Sequence, residues 1–217
     1  IASADYVSYA HKQNVEVWMT VRDFDGGISS EKESYELLSY TSRRETLITQ
    51  LIAEALEGGY RDKVLISTKF GLSPHALQEM THDASFKTVI REVESSLMNL
   101  KTDVIDFYFI HWPDPHTPIA ETMSALNLLK SLGKIRFLGV SNFTQEQIEE
   151  AEKYARIDVM QLQYSMVHQK HKALIEWGSQ RGIDTFTYGS LGAGILSGKF
   201  RTLPPLKPGD TRITFYD

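Results

Sequence analysis

The sequence contains no cysteine, and this absence excludes several kinds of chemistry. With no thiol among its 217 residues, the chain offers no disulfide framework, no thiolate metal ligand and no cysteine nucleophile. Any catalysis must use other side chains. We therefore expect a protein of a reducing, cytoplasmic setting, and we predict no metal site.

Long apolar runs and excess positive charge are also missing. No run reaches the roughly 18 apolar residues that span a bilayer, and the opening IASADYVSYAHKQ lacks the apolar block of a signal peptide. A net charge of -5 disfavours binding to a phosphate backbone. We therefore expect the protein to bind a small-molecule substrate, and we expect no binding to a membrane or to nucleic acid. The glycine-rich fingerprint of doubly wound dinucleotide-binding folds is absent too, so any cofactor is held in another way.

One stretch, Asp103–Pro115, carries the strongest signal that is present. Its middle, Val104–Ile110, is an apolar and aromatic run interrupted only by Asp106, which is typical of a strand buried on both faces. Such strands belong to parallel sheets. His111 follows directly, at the strand end where α/β proteins keep their chemistry. The alternative for His111 is a ring that hydrogen-bonds a backbone group and has no site role.

Strands and helices alternate along the chain and predict an α/β fold. The predicted strands are Val15–Val21, Val64–Thr68, Val104–Ile110, Ile135–Val140, Val159–Tyr164 and Asp184–Thr187. Helices are predicted at residues 3–13, 42–56, 86–100, 117–132, 144–154 and 171–181, and capping boxes open two of them, at Ser42 and at Thr144 with Gln147. Residues 72–83 are predicted to form a loop, and no element is predicted for the tail from Leu203. We prefer a TIM-type (β/α) barrel to an open doubly wound sheet, with residues 1–217 as one domain. About six strands are visible, so the barrel is truncated or chimeric, is completed by another chain, or contains two strands that the sequence pattern does not reveal.

Each predicted strand ends in polar or ring-bearing residues, which a barrel would gather at one mouth. These are Asp23, Asp25, Lys69, His111, Ser141, Asn142, Gln161, Gln163 and Tyr188. A lysine and a histidine beside amides, a hydroxyl and a tyrosine ring suit the binding of a planar polar ring and the handling of a proton, as hydride transfer to a carbonyl requires. The alternatives are a solvated rim lysine and aspartates that only cap a glycine turn.

Several motifs within about residues 61–200 closely resemble the aldo-keto reductases. They are Arg61–Val64, Ser67–Gly71, Asp106, Ile110–Pro113, Gly139–Phe143, Tyr188–Leu191 and Gly198–Phe200. The resemblance implies a (β/α)₈ barrel that reduces aldehydes and ketones with NADPH. It makes Lys69 and His111 catalytic: the lysine lowers the pKa of a tyrosine acid, and the histidine orients the carbonyl. It makes Ser141, Asn142 and Gln161 ligands of the nicotinamide carboxamide and Tyr188 the ring stacked on the nicotinamide.

The chain departs from this family in its catalytic acid. The family's pattern Asp-x-x-x-x-Tyr supplies a tyrosine and an aspartate, but Asp23 is followed five residues later by Ile28, and Asp25 by Ser30. The first strand and the last, phosphate-binding strand of the family are also missing from the pattern. We therefore expect an NADPH-dependent carbonyl reductase with impaired chemistry. If Asp23 or Asp25 faces Lys69, its carboxylate replaces the missing aspartate of the family.

The first segment, about residues 1–57, resembles a family 18 glycoside hydrolase barrel. The motifs are Tyr9–His11, Val17–Met19, Asp23–Gly26, Leu38–Ser39 and Arg44–Ile48. The catalytic signature DxxDxDxE of that family is absent, so glycoside hydrolysis is not expected. The alternative function is thus a chimeric or designed barrel without selected activity, or a half-barrel that forms a homo-oligomer.

Overall fold

A computed structural model of the chain describes residues 18–20, 49, 51–74, 80–199 and 202. Several sequence predictions lie outside the described residues. They are the helix at residues 3–13, the capping box that Ser42 opens, Asp23 and Asp25, and the tail from Leu203.

Among the described residues, six parallel strands form one sheet, in the order β1-β2-β5-β6-β7-β8. The strands are β1 Trp18–Thr20, β2 Leu65–Phe70, β5 Ile105–Ile110, β6 Ile135–Ser141, β7 Val159–Gln163 and β8 Asp184–Tyr188. Every neighbouring pair is parallel, including β1 with β2. The strand from residues 1–57 and the strands from residues 61–200 therefore have their carboxyl ends at the same rim. The fold is therefore α/β of the TIM-barrel type. All six predicted strands are present, but β2 extends two residues beyond Thr68 and includes Lys69.

Helices follow the strands, as the βα alternation predicts. They are α1 Phe86–Leu100, α2 Ile119–Ser131, α3 Gln145–Ala151 and α4 Lys172–Gln180, and residues 51–55 are also helical. The predicted capping box at α3 is present: the Thr144 hydroxyl accepts from the Gln147 N–H, and the Gln147 side chain accepts from the Thr144 N–H. The helix ends at Ala151 instead of Tyr154. None of the described helices is long and apolar enough to cross a bilayer.

The two faces of the sheet have different cores because side chains alternate along each strand. The outer face includes Tyr108, Ile110, Leu138 and Val140, all at most 1% exposed, and packs against helix residues such as Leu126. The inner face holds a smaller aromatic cluster, which comprises Phe107, Phe109, Val159, Leu65 and Phe186. A Cβ on Gly139 would lie 2.3 Å from the Phe109 ring. Only glycine at this position of β6 therefore leaves room for the ring.

The prediction of a loop over residues 72–83 is wrong in part. β3 Leu72–Pro74 and β4 Met80–His82 form a short antiparallel hairpin in which Leu72 pairs with His82. The Asp83 N–H donates to the Gly71 carbonyl at 3.0 Å and closes its base. Two three-residue strands carry no alternation long enough to be recognised in the sequence, and backbone pairing alone defines them.

Candidate functional site

The sequence-predicted site residues lie at the carboxyl ends of five neighbouring strands. Lys69 is near the end of β2, Ser141 and Tyr188 are the last residues of β6 and β8, Gln161 is in β7, and His111 follows β5 directly. The parallel arrangement thus brings these groups to one rim, although their sequence positions span more than half of the chain.

Lys69 is directed to the inner face of the sheet. Its neighbour Phe70 stacks on Tyr108 in the outer core, with ring centroids 4.7 Å apart, and alternation turns Lys69 the other way. The lysine is 7% exposed and pairs in register with Phe109, two residues before His111. The His111 N–H donates to the Phe70 carbonyl at 3.1 Å. The lysine and histidine backbones are therefore fixed beside each other.

Asn142 joins three of these strands through its side chain. Its Nδ2 donates to the His111 carbonyl at 3.2 Å and to Ser141 Oγ at 3.1 Å. Its Oδ1 accepts from the Tyr188 hydroxyl at 2.8 Å, and its backbone N–H donates to the Gln161 carbonyl at 3.2 Å. We call His111, Ser141, Asn142 and Tyr188 the carboxyl-end cluster.

The backbone of Asn142 is in the left-handed region, with φ of 61°. Asparagine is one of the few residues other than glycine that adopts this conformation readily. The turn comes directly after Ser141, the last residue of β6. From there the side-chain amide of Asn142 contacts His111, which follows β5, and Tyr188, which ends β8. The left-handed turn at the end of this buried strand thus brings the Asn142 side chain within hydrogen-bond distance of both His111 and Tyr188.

Polar side chains at this rim are deeply buried. Ser141 is 1% exposed and Gln161 is 9% exposed. Ser67 lies on the same face as Lys69, and within the described residues its buried hydroxyl has no hydrogen-bond partner. Neutral hydrogen-bonding groups held in a buried rim can recognise a planar amide or a carbonyl oxygen.

The loops around the rim are fixed by polar residues that sequence reasoning missed. Glu92 of α1 accepts from the Gly71 N–H at 3.0 Å, and burial raises the pKa of Glu92. His82 Nδ1 lies 3.0 Å from the Pro113 carbonyl and links the hairpin to the residues after His111. Glu92 lies in a predicted helix, and His82 lies in a region predicted to be a loop. No sequence signal distinguishes either residue from other polar residues in such segments.

Asp114 organises the loop after His111. Its carboxylate accepts from the Ala84 and His116 N–H groups and from the Thr117 hydroxyl, at 2.6–2.9 Å. Burial acts to raise the pKa of Asp114, but these hydrogen bonds outweigh it and hold that pKa below its ordinary value. The carboxylate therefore stays ionised and serves the loop, not the site.

Across the described part of the chain, no group of three His, Cys, Asp or Glu side chains could hold a metal ion. Whether Asp23 or Asp25 faces Lys69 concerns residues outside those described.

Residues 38–215 match the aldo/keto reductase family. The match therefore extends further toward the amino terminus than the motifs of residues 61–200, and it includes residues 38–57 of the segment that resembles a glycoside hydrolase. The aldo-keto reductase YhdN of Bacillus subtilis is 38% identical over 152 residues, which cover 69% of this chain and 46% of that protein. The NADH-specific methylglyoxal reductase of Escherichia coli is 32% identical over 161 residues, covering 68% and 49%.

Solved structures agree with these sequence matches. The glycerol dehydrogenase AKR11B4 of Gluconobacter oxydans superimposes with a TM-score of 0.69 and 30% identity, covering 76% of this chain and 51% of that one. An aldo-keto reductase of Klebsiella pneumoniae in complex with NADPH gives a TM-score of 0.59 and 27% identity, covering 72% and 52%. The chain spans about half the length of the relatives it matches.

Proposed function

Because the chain belongs to the aldo/keto reductase family, we propose that its rim binds the nicotinamide end of NADP and supports reduction of a small carbonyl compound. The observation that carries the proposal is the carboxyl-end cluster, in which Asn142 hydrogen-bonds His111, Ser141 and Tyr188. The likeness to a relative solved with NADPH supports the choice of cofactor.

The residues of the rim fit a nicotinamide. Its carboxamide needs one acceptor and one donor in a plane, and Ser141, Asn142 and Gln161 offer both from adjacent strand ends. Tyr188 offers an aromatic face beside them. A bound nicotinamide would supply the hydride. Lys69 would lower the pKa of a proton donor through its charge, and His111 would orient the carbonyl oxygen.

Proton transfer is the impaired step in this proposal. No tyrosine stands in register with Asp23 or Asp25 in the pattern that gives the family its acid. Loss of a positioned general acid costs about 10²- to 10⁴-fold in rate. We therefore propose slow carbonyl reduction with cofactor binding retained.

Three further proposals carry over from the sequence: residues 1–217 form one barrel domain, the protein acts in the cytoplasm, and a barrel short of eight strands would be completed by a second copy of the chain. Native mass measurement tests the last of these, because a monomer would contradict it.

Fluorescence titration of the folded protein with NADPH and, in parallel, with NADH tests cofactor binding. We expect the NADPH emission to increase and shift to the blue on binding, followed by slow NADPH oxidation when glyceraldehyde is added. A folded protein that binds neither dinucleotide at millimolar concentration would contradict the proposal. That result would favour the alternative of a chimeric barrel without selected activity.

A further inference from the structure

We propose that the Tyr188 hydroxyl is a positioning group that holds the Asn142 amide in the orientation that the His111 carbonyl selects, and with it the donors and acceptors that the rim presents to a carboxamide. This inference deepens the proposed function and rests on it for the identity of the ligand. The hydrogen bonds themselves are features of the protein alone.

An asparagine amide has two ends of similar size and opposite hydrogen-bonding character, so its orientation must be set by its neighbours. The His111 carbonyl can only accept, and therefore the end of Asn142 that faces it at 3.2 Å must be Nδ2. The other end, Oδ1, receives the Tyr188 hydroxyl at 2.8 Å, the shortest of the three side-chain contacts. One end is thus held by backbone and the other by Tyr188.

This orientation determines the direction of the whole set of hydrogen bonds. Tyr188 donates to Asn142, and Asn142 in turn donates to Ser141 Oγ at 3.1 Å. A hydroxyl that accepts through a lone pair keeps its own hydrogen for donation. Ser141 is thereby directed to donate to a carbonyl oxygen, while the second lone pair of Asn142 Oδ1 can accept from an N–H₂ group. A reversed amide would present the opposite pattern.

The contact also joins strands that are not neighbours. Tyr188 ends β8 and Asn142 follows β6, and β7 lies between these strands in the sheet. The two residues are 46 positions apart in the chain, and the backbone of Asn142 is fixed by its own bond to the Gln161 carbonyl. The Tyr188 hydroxyl therefore contacts, across β7, a side chain whose backbone is held by a separate hydrogen bond.

Tyr188→Phe removes the hydroxyl and keeps the aromatic face, and Tyr154→Phe is the matched control on an exposed tyrosine. The Kd of each protein is measured for NADPH and for its 3-acetylpyridine analogue, which has no carboxamide N–H₂. We expect Y188F to weaken NADPH binding about 3- to 10-fold, the effect of one net hydrogen bond. Binding of the analogue should weaken less, because the analogue keeps the carbonyl oxygen but has no N–H₂ group that could lose its acceptor. The Kd for NADPH divided by the Kd for the analogue therefore rises in Y188F and stays at the wild-type value in Y154F.

A second measurement needs no cofactor. The Asn142 side-chain N–H₂ pair is assigned in ¹H–¹⁵N NMR spectra by its loss in Asn142→Asp, and its hydrogen exchange is compared between wild type and Y188F. We expect exchange to quicken at least several-fold in Y188F, because the amide can then rotate away from the His111 carbonyl.

The two measurements separate failure of the inference from failure of the proposed function. If wild type binds no dinucleotide but Y188F quickens exchange, the positioning role stands and the ligand is wrong. If wild type binds NADPH and Y188F changes neither the Kd ratio nor the exchange rate, the positioning role is wrong. An equal loss of affinity for NADPH and the analogue would also overturn it, because a merely structural effect weakens both.

Discussion

Two polar clusters lie at opposite ends of the same sheet, and they differ in charge. The amino-end cluster consists of Asp106, Arg61 and Arg136: both arginines contact the aspartate at 2.8 Å, and the carboxylate also accepts from the Ile66 N–H. Asp106 is fully buried. The hydrogen bonds of the carboxyl-end cluster join uncharged groups instead: the Asn142 amide, two hydroxyls and the His111 backbone carbonyl.

The difference separates a polar cluster that stabilises the fold from one that can bind a ligand. Arg61 makes four hydrogen bonds with its five N–H donors, because besides Asp106 it donates to Thr102 Oγ1 and to the Val64 and Val104 carbonyls. Such a cluster joins β2, β5 and β6 and presents little to a ligand. The neutral cluster can exchange a partner for a ligand without leaving a buried charge unpaired, a change that costs far more at the other end.

The largest expected effect comes from breaking the amino-end cluster. Asp106→Asn removes the charge that pairs with both arginines, and we expect a loss of about 3–5 kcal/mol in the free energy of unfolding. The lower part of this range is favoured because the Arg136 side chain is 54% exposed and can be solvated. Urea denaturation measures the loss, with Asp62→Asn as control because Asp62 is exposed.

The same variant sharpens the comparison through ligand binding. Protein with Asp106→Asn that remains folded should bind NADPH with wild-type affinity, since the substitution lies at the other end of the sheet. Unchanged stability together with weakened NADPH binding would show that the division between the two ends is wrong.

Asn142→Gly tests the carboxyl-end cluster with a smaller effect on stability. Glycine adopts the left-handed backbone without strain, so we expect a loss of about 1–2 kcal/mol from the missing hydrogen bonds, but at least a tenfold weaker Kd for NADPH. Asn142→Ala should cost about 1 kcal/mol more than glycine, because alanine resists a φ of 61°. Equal stability of the two variants would contradict the assigned backbone conformation.

The smallest effect is expected at Glu92, behind the rim. Burial raises the pKa of the Glu92 carboxyl in the folded state above its value in the unfolded chain. Between these two pKa values the folded state binds more protons than the unfolded state, so the free energy of unfolding falls as the pH rises. Glu92→Gln can still accept from the Gly71 N–H but cannot ionise. We expect this variant to lose that slope, with a change under about 1 kcal/mol at pH 7. Urea denaturation from pH 4 to pH 8 measures it, with Glu176→Gln as control, and a slope equal to wild type would contradict the assignment.

Much of the strand and helix order was predictable because the signals are local. The run Val104–Ile110 gave a strand buried on both faces, and Thr144 with Gln147 gave a capping box that the structure contains. The hairpin of β3 and β4 was missed because each strand has only three residues. The roles of Lys69, His111, Ser141, Asn142, Gln161 and Tyr188 rest on family resemblance and stay predictions.

By itself, the sequence determined that strands alternate with helices and that each strand ends in a polar or aromatic side chain, because periodicity and composition are written along the chain. Only the tertiary structure decided which of those side chains touch. The hydrogen bonds from Tyr188 to Asn142 and from Asn142 to the His111 carbonyl join residues 46 and 31 positions apart. Their existence depends on the strand order, which is fixed by pairing between segments that are far apart in the chain.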